Sequence, residues 1–359
     1  MITVMLLAAG IALGSPQREV GFSASISKTV TLPHLLYLPE GYGTDRDRRW
    51  PLIVFLHGSG ERGTEIERVK TNGLPRRLDE GLALPAIVIS PQCPLDARWT
   101  DVWMVEGVNA LIDDALTRYR IDPDRVSLTG LSMGGRGTWA LGIAHPEKFA
   151  ALAPVCGGGD PDLAYRLRRV PIWAFHGAED PVVPLSETQA MAEALARYQG
   201  EILLTVFPDT GHDSWIQAYA DPALYSWLLA QVRRPPALTS LHEATLAAST
   251  GDPRLAADGD FGTRWESEWT DPQWLMIELP QPQALHRLSI FWETAYGQAY
   301  DVLTSSDGRR WSPVSAITNG DGAGDEIVFP EGRTARWLKL DFRQRGTQWG
   351  YSIWELELE

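Results

Sequence analysis

An α/β protein with a mostly parallel sheet, followed by an all-β sandwich, is the fold class this sequence predicts, on three observations. Short apolar runs alternate with helix-period segments from Leu35 to Arg233. Arg233-Arg234-Pro235-Pro236 then breaks the alternation. Past that break, helical periodicity gives way to short strand-like runs.

In chain order, the expected buried strands are Leu52 to Leu56, Ala86 to Ile89, Val126 to Leu128, Phe149 to Val155, Ile172 to Phe175 and Ile202 to Phe207. Each is largely apolar, as strands covered on both faces must be. Between them, Val105, Val108, Leu111, Ile112, Ala115, Leu116 and Tyr119 recur at helical spacing and stop at Asp122-Pro123. Met191, Ala194, Leu195 and Tyr198 mark a second helix. Helices on both faces of the sheet follow. The expected limits are 24–233 for this unit, 234–237 for a short stiff linker and 238–359 for a jelly-roll sandwich. Strands there are read at Trp274 to Leu279, Leu288 to Trp292, Tyr300 to Thr304, Ile327 to Phe329 and Trp337 to Leu340, with Asp307-Gly308 as a hairpin turn. Eight of the fifteen tryptophans fall in this last third, enough large rings for a core of its own.

The chain has 359 residues, 44% hydrophobic and 22% charged, a composition that excludes disorder and fibre. Its formal net charge of −14 argues against nucleic acid or an anionic membrane as the main partner. Residues 1–14 are uncharged and apolar, too short to span a bilayer, and end in small residues before Ser15; they read as a signal peptide. The expected location is therefore secreted or periplasmic. Cys93 and Cys156 can form one disulfide at most, and each follows an expected central strand, which reads as a buried thiol.

The chemistry centres on Arg125 to Gly135, RVSLTGLSMGG, where a strand turns sharply into a helix around Gly130-Leu131-Ser132-Met133-Gly134. In that context GxSxG lifts a serine hydroxyl clear of the sheet, and the glycines avoid collisions in the turn. Ser132 is the candidate nucleophile, with the Met133 N–H aimed at any oxyanion formed there. A serine hydroxyl needs a base and a group to orient that base. Two later strand ends supply them: His176-Gly177-Ala178-Glu179-Asp180-Pro181 and Pro208-Asp209-Thr210-Gly211-His212-Asp213. Asp180 and His212 give the order Ser, Asp, His; Glu179, Asp209 and Asp213 are the competing acids. The second oxyanion donor is expected in His57-Gly58-Ser59-Gly60-Glu61-Arg62-Gly63, at Ser59.

With these motifs in view, residues from about Leu35 to Val232 resemble the α/β-hydrolase superfamily. PLIVFLHGSGERG, SPQCP, DRVSLTGLSMGG, AFHGAEDPVVP and TGHDSW are similar to its dienelactone-hydrolase, esterase-D and phospholipase/carboxylesterase branch. The resemblance implies serine esterase activity with no cofactor for catalysis: Ser132 matches the nucleophile, Asp180 the acid, His212 the base, and Met133 and Ser59 the oxyanion donors. From about His242, the segments ATLAAST, ADGDFGTRWES, PQWLMIEL, LTSSDGRRW, ARWLKL and RGTQWGYSIWELE resemble the F5/8 type C (discoidin) domain, similar to family 32 carbohydrate-binding modules. That resemblance implies a structural Ca²⁺ held by the loop from Leu255 to Thr263 and an acid near the C-terminus. Asp258, Asp260, Thr263 and Glu355 are the hard oxygen donors available. Trp269, Trp349 and Tyr351 fall in expected loops and are the candidate sugar-stacking rings; Trp265, Trp274, Trp292 and Trp337 lie in strand patterns and read as core.

These readings converge on a secreted carboxylic ester hydrolase acting on polymer esters, acetyl or feruloyl groups of a polysaccharide being favoured. A polyester or polyhydroxyalkanoate depolymerase and a small-molecule carboxylesterase are the enzymatic alternatives. An inactive carbohydrate-binding or adhesion protein is the alternative of another class.

Overall fold

Seven strands form one sheet: β1 (His34–Tyr37), β2 (Trp50–Leu56), β3 (Ile87–Pro91), β4 (Ile121–Leu131), β5 (Ala151–Val155), β6 (Ile172–Gly177) and β7 (Ile202–Phe207). Their spatial order is β1-β3-β2-β4-β5-β6-β7. The computed structural model describes residues 28–198, 200–233, 241–322 and 324–359. The apolar run at 1–14 and the linker at 234–237 therefore lie outside the described residues.

β2 to β7 pair in parallel, and β1 pairs antiparallel with β3 at the edge. Every residue of β2, β3 and β5 is buried, as continuous apolar strands covered on both faces require. The cover comes from α1 (Gly73–Asp79), α2 (Val102–Arg118), α3 (Met133–Ala144), α4 (Leu185–Arg197), α5 (Trp215–Ala220) and α6 (Pro222–Ala230). One core packs Leu52, Val54, Leu128 and Ile172 against Val108, Ile112 and Leu195. A second, on the other face, packs Phe55, Val88 and Phe175 against Tyr219 and Leu228.

Residues 245–358 build two antiparallel sheets. The strands are β8 (Thr245–Ala248), β9 (Trp265–Glu266), β10 (Gln273–Ala284), β11 (Arg287–Trp292), β12 (Gly297–Ser305), β13 (Ser312–Ile317), β14 (Asp325–Val328), β15 (Thr334–Arg345) and β16 (Ser352–Leu358). The orders are β13-β12-β15-β10-β8 and β14-β11-β16-β9, a sandwich. Alternation is clear in β10, where Leu275, Ile277 and Leu279 are buried and their neighbours are not. Trp265, Trp292, Tyr300 and Phe342 fill the centre with ring contacts at 5.7 Å. Asp307-Gly308 turns β12 into β13, with Gly308 at φ 69°.

Candidate active site

β4 ends at Leu131, α3 begins at Met133, and Ser132 alone makes the turn, at φ 54° and ψ −113°. A side chain other than glycine in that region is strained, so the surrounding packing must hold it. A Cβ on Gly134 would stand 1.9 Å from the Leu56 carbonyl oxygen, and one on Gly130 would stand 2.5 Å from that of Gly134. The two glycines therefore let α3 press against β2 and β4.

Three strand ends meet at this elbow. Ser132 Oγ lies 2.8 Å from His212 Nε2, and His212 Nδ1 lies 2.7 Å from Asp180 Oδ2. The carboxylate can only accept, so Nδ1 carries the proton and Nε2 offers its lone pair to the serine hydroxyl. Asp180 follows β6 and His212 follows β7; of the four acids in these loops, Asp180 is the one on the histidine. Burial pushes the Asp180 carboxyl up, but donation from His212 and from the Val183 and Val182 N–H groups outweighs it and holds the group below the usual carboxylate range. The edge of Trp215 meets the His212 ring at 5.3 Å and 89°, walling one side.

Two further histidines, quoted in the strand-end motifs but given no role by the sequence, shape this site. His176 is fully buried, its Nε2 lying 2.9 Å from the Val183 carbonyl and 3.3 Å from Asp180 Oδ2. It stands against the same carboxylate oxygen that accepts the His212 Nδ1–H. His57 accepts the Cys93 N–H on Nε2 at 3.0 Å, so its Nδ1–H donates to the Gly58 carbonyl at 2.6 Å. Burial lowers its pKa, which keeps it neutral for that double role. The Gly58 carbonyl and the Ser59 N–H share one peptide plane, so His57 sets the direction of the expected oxyanion donor. Arg62 Nε holds the Ser59 carbonyl at 3.1 Å, and Gln92 Nε2 holds that of Glu61 at 2.9 Å. Met133 opens α3, where the backbone N–H has no partner within the helix. A two-residue "His-Gly" signal in each motif marks both histidines, but the Cys93 N–H that fixes His57 comes from 36 residues away, and Thr188 Oγ1, 2.8 Å from His176 Nδ1, from 12.

Cys93 and Cys156 are free and buried, as read; burial pushes both thiols up to about 12, leaving them protonated.

The candidate binding residues of the sandwich divide. Trp269 and Trp349 are 55% and 43% exposed and meet edge to face at 5.0 Å. Arg345 Nη1 ties their loops together by donating to the carbonyls of Trp269 and Trp349 at 2.6 and 3.2 Å. Tyr351 is not an exposed ring: it is fully buried, stacks on Phe342 at 4.7 Å and gives its hydroxyl to Asp271. The expectation that it meets sugar is corrected, because β16 carries it inward just before the strand begins. The four expected metal donors gather at one corner. Thr263 Oγ1 donates to Asp258 Oδ2 at 2.7 Å, the Gly262 N–H to Asp260 Oδ1 at 2.8 Å, and the Gly259 N–H to Glu355 Oε2 at 2.8 Å. Burial, with the charges of Asp258 and Asp260 nearby, pushes Glu355 up to about 7. Among the described residues, no three His, Cys, Asp or Glu side chains stand close enough to form a metal-ligand group.

The model of the dienelactone hydrolase family matches residues 95–221, and that of the F5/8 type C domain matches residues 239–356. A putative esterase, NocK, of Nocardia uniformis subsp. tsuyamanensis is 32% identical over 157 residues, covering 41% of this chain and 42% of that protein. A probable feruloyl esterase C of Aspergillus terreus is 28% identical over 178 residues, covering 46% of this chain and 62% of that one. The crystal structure of a thermostable esterase superposes with a TM-score of 0.50 at 34% identity, covering 57% of this chain and 60% of that one. The chain thus spans less than two thirds of the length of each of these relatives.

Proposed function

Because the chain joins a domain of the dienelactone hydrolase family to an F5/8 type C domain, we propose that it is an exported serine carboxylic ester hydrolase whose substrates are ester groups on a polysaccharide, of acetyl or feruloyl type. The observation that carries the reading is the hydrogen-bonded chain from Ser132 through His212 to Asp180. Ser132 Oγ attacks the ester carbonyl carbon as His212 Nε2 takes its proton. The carbonyl oxygen becomes an oxyanion held by the Met133 and Ser59 N–H groups. Collapse breaks the bond to the alcohol oxygen, which leaves with the proton from His212 and an acyl group on Ser132. Water, deprotonated by His212, attacks the acyl carbon and releases the acid, returning the proton to Ser132. Asp180 stays ionised throughout and holds the imidazole in the tautomer that accepts.

The polymeric substrate rests on the sandwich. Two neighbouring exposed indoles suit the C–H faces of sugar rings, and a second binding site raises the local concentration of an enzyme at a surface. Asp258, Asp260, Thr263 and Glu355 carry hard oxygens of the kind Ca²⁺ takes, but the acids among them do not stand close enough together to form a ligand group, so no part of the reading is built on a cation there. Export accords with the uncharged apolar start of the sequence. No helix among the described residues is long and apolar enough to cross a membrane.

The test is product analysis on acetylated and feruloylated xylan fragments and on a synthetic polyester. Release of acetate or ferulate is expected, and turnover of the polyester alone would replace the polysaccharide reading with a depolymerase. Absence of turnover on any ester would leave only the binding role.

A further inference from the structure

The sandwich does not sit over the triad. The hydrolase residues that carry its interface lie at the amino ends of strands: Arg168 and Arg169 just before β6, Tyr165 on the turn leading to them, and Tyr198 at the end of α4 before β7. Arg168 and Arg169 both pair with Glu357, and Arg169 also reaches Glu359 at 2.6 Å. The side chains of Arg168 and Glu357 are 9% and 16% exposed, so the pair is largely desolvated and either charge would be costly without the other. Tyr165 stacks on Phe261 at 4.3 Å, and Phe261 meets Phe291 at 5.2 Å. The Arg168 guanidinium lies 4.5 Å over Phe291. Shared ion pairs and ring contacts of this kind fix a domain's position, unlike a bare tether.

A cleft of about 760 Å³ remains between the two bodies, walled on the hydrolase side by Phe149, Ala150, Pro171 and Glu201, again at the amino ends of β5, β6 and β7. Ser132, Asp180 and His212 occupy the opposite ends of the same parallel strands. From Ala150 to Val155, whose carbonyl accepts the Ser132 N–H, β5 interposes about 17 Å at ~3.4 Å per residue. On the other side of the interface, Trp349 precedes the start of β16, whereas Glu357 is near its end, about 17 Å further along. The aromatic pair and the nucleophile thus each lie about 17 Å from the interface that joins the two bodies.

We propose that the sandwich is a fixed anchor: Trp269 and Trp349 hold one polysaccharide chain, while Ser132 cleaves esters carried by other, freely diffusing oligosaccharides that reach the mouth from the opposite end. This rests on the reading of the chain as an esterase with a sugar-binding sandwich. An anchor and a mouth at opposite ends cannot draw one short chain through both sites.

The experiment uses full-length protein adsorbed to ester-free insoluble xylan, cellulose and chitosan, with soluble acetylated and feruloylated xylo-oligosaccharides as substrate. On any polymer that retains it, the adsorbed enzyme is expected to keep kcat/KM within about twofold of the free enzyme. A loss of tenfold or more on adsorption would overturn the proposal, since it would mean that the held polymer blocks or shares the mouth. W269A/W349A is expected to lose adsorption, and unchanged adsorption would overturn the assignment of the anchoring face. Failure of the wild type to adsorb to any polymer while sugar esters are still cleaved would remove the sugar-binding reading, and the anchor with it, leaving the esterase reading intact. Small-angle scattering checks the fixed docking independently: one rigid body is expected for the wild type and a broader ensemble for R168E/R169E. Two freely moving bodies in the wild type would overturn it.

Discussion

The catalytic end of the sheet and the aromatic face of the sandwich are both small clusters on strand ends, yet they obey different rules. At the catalytic end every residue is constrained several times over: Ser132 by its left-handed backbone, Gly134 by the Leu56 carbonyl, His212 by two hydrogen bonds of fixed direction. On the sandwich, Trp349 and Tyr351 stand two residues apart with the same sequence signal. One is 43% exposed and the other wholly buried. Chemistry that needs a particular backbone leaves a mark in the sequence, whereas an aromatic ring is placed by whatever strand arrives opposite it.

That contrast breaks most sharply at the elbow. Ser132→Ala is expected to lower kcat on a short chromogenic ester by about 10⁶-fold while leaving the melting temperature unchanged. Activity within tenfold of wild type would remove Ser132 as the nucleophile. Asp180→Asn keeps the shape but reverses the tautomer of His212, and a fall of about 10⁴-fold in kcat is expected. An equal or larger fall for Asp209→Asn or Asp213→Asn would move the acid to that loop.

On the sandwich, the expected losses are of stability. Tyr351→Ala removes a ring stacked on Phe342 in the core and should cost roughly 3–5 kcal/mol in denaturant unfolding. Trp349→Ala should cost no more than about 0.5 kcal/mol, because its ring faces solvent. Equal costs would erase the distinction between the two positions. At Gly134, an alanine Cβ would meet a backbone oxygen that cannot rotate away, and about 3 kcal/mol is the expected loss. There the stability and activity of the variant should fall together.

Much of the fold was legible because the period of the apolar residues is itself the packing. The run at Val105 to Tyr119 became α2 over Val102–Arg118, and Leu52 to Leu56 became the carboxyl-terminal part of β2. The edge strand β1 was not read: its four residues pair antiparallel with β3, more than fifty positions later, and such a short segment carries no period. The docking of the sandwich was equally silent. Arg168, Arg169, Glu357 and Glu359 read as ordinary surface charges until the chain brings 168 and 357 together. The candidate nucleophile, acid and base were readable because each sits in a strand-end motif, while the roles of His57 and His176 depend on Cys93 and Thr188, which lie outside the motifs that hold the two histidines.

His57 offers the smallest and most selective test of how tightly the catalytic end is constrained. Burial holds its folded pKa below the ordinary histidine value of about 6.5. Between that value and the lower folded one, the unfolded chain binds a proton that the folded protein refuses, so stability must fall as pH drops below about 6.5. The stabilisation is fully present above that pH and is lost towards the folded pKa. His57→Asn removes the titrating ring, so the thermal midpoint of the hydrolase domain should vary less between pH 7 and pH 5 than in the wild type. If the slopes coincide, His57 is not the neutral donor that aims the Gly58–Ser59 peptide, and the oxyanion loop must be held by Arg62 and Gln92 alone.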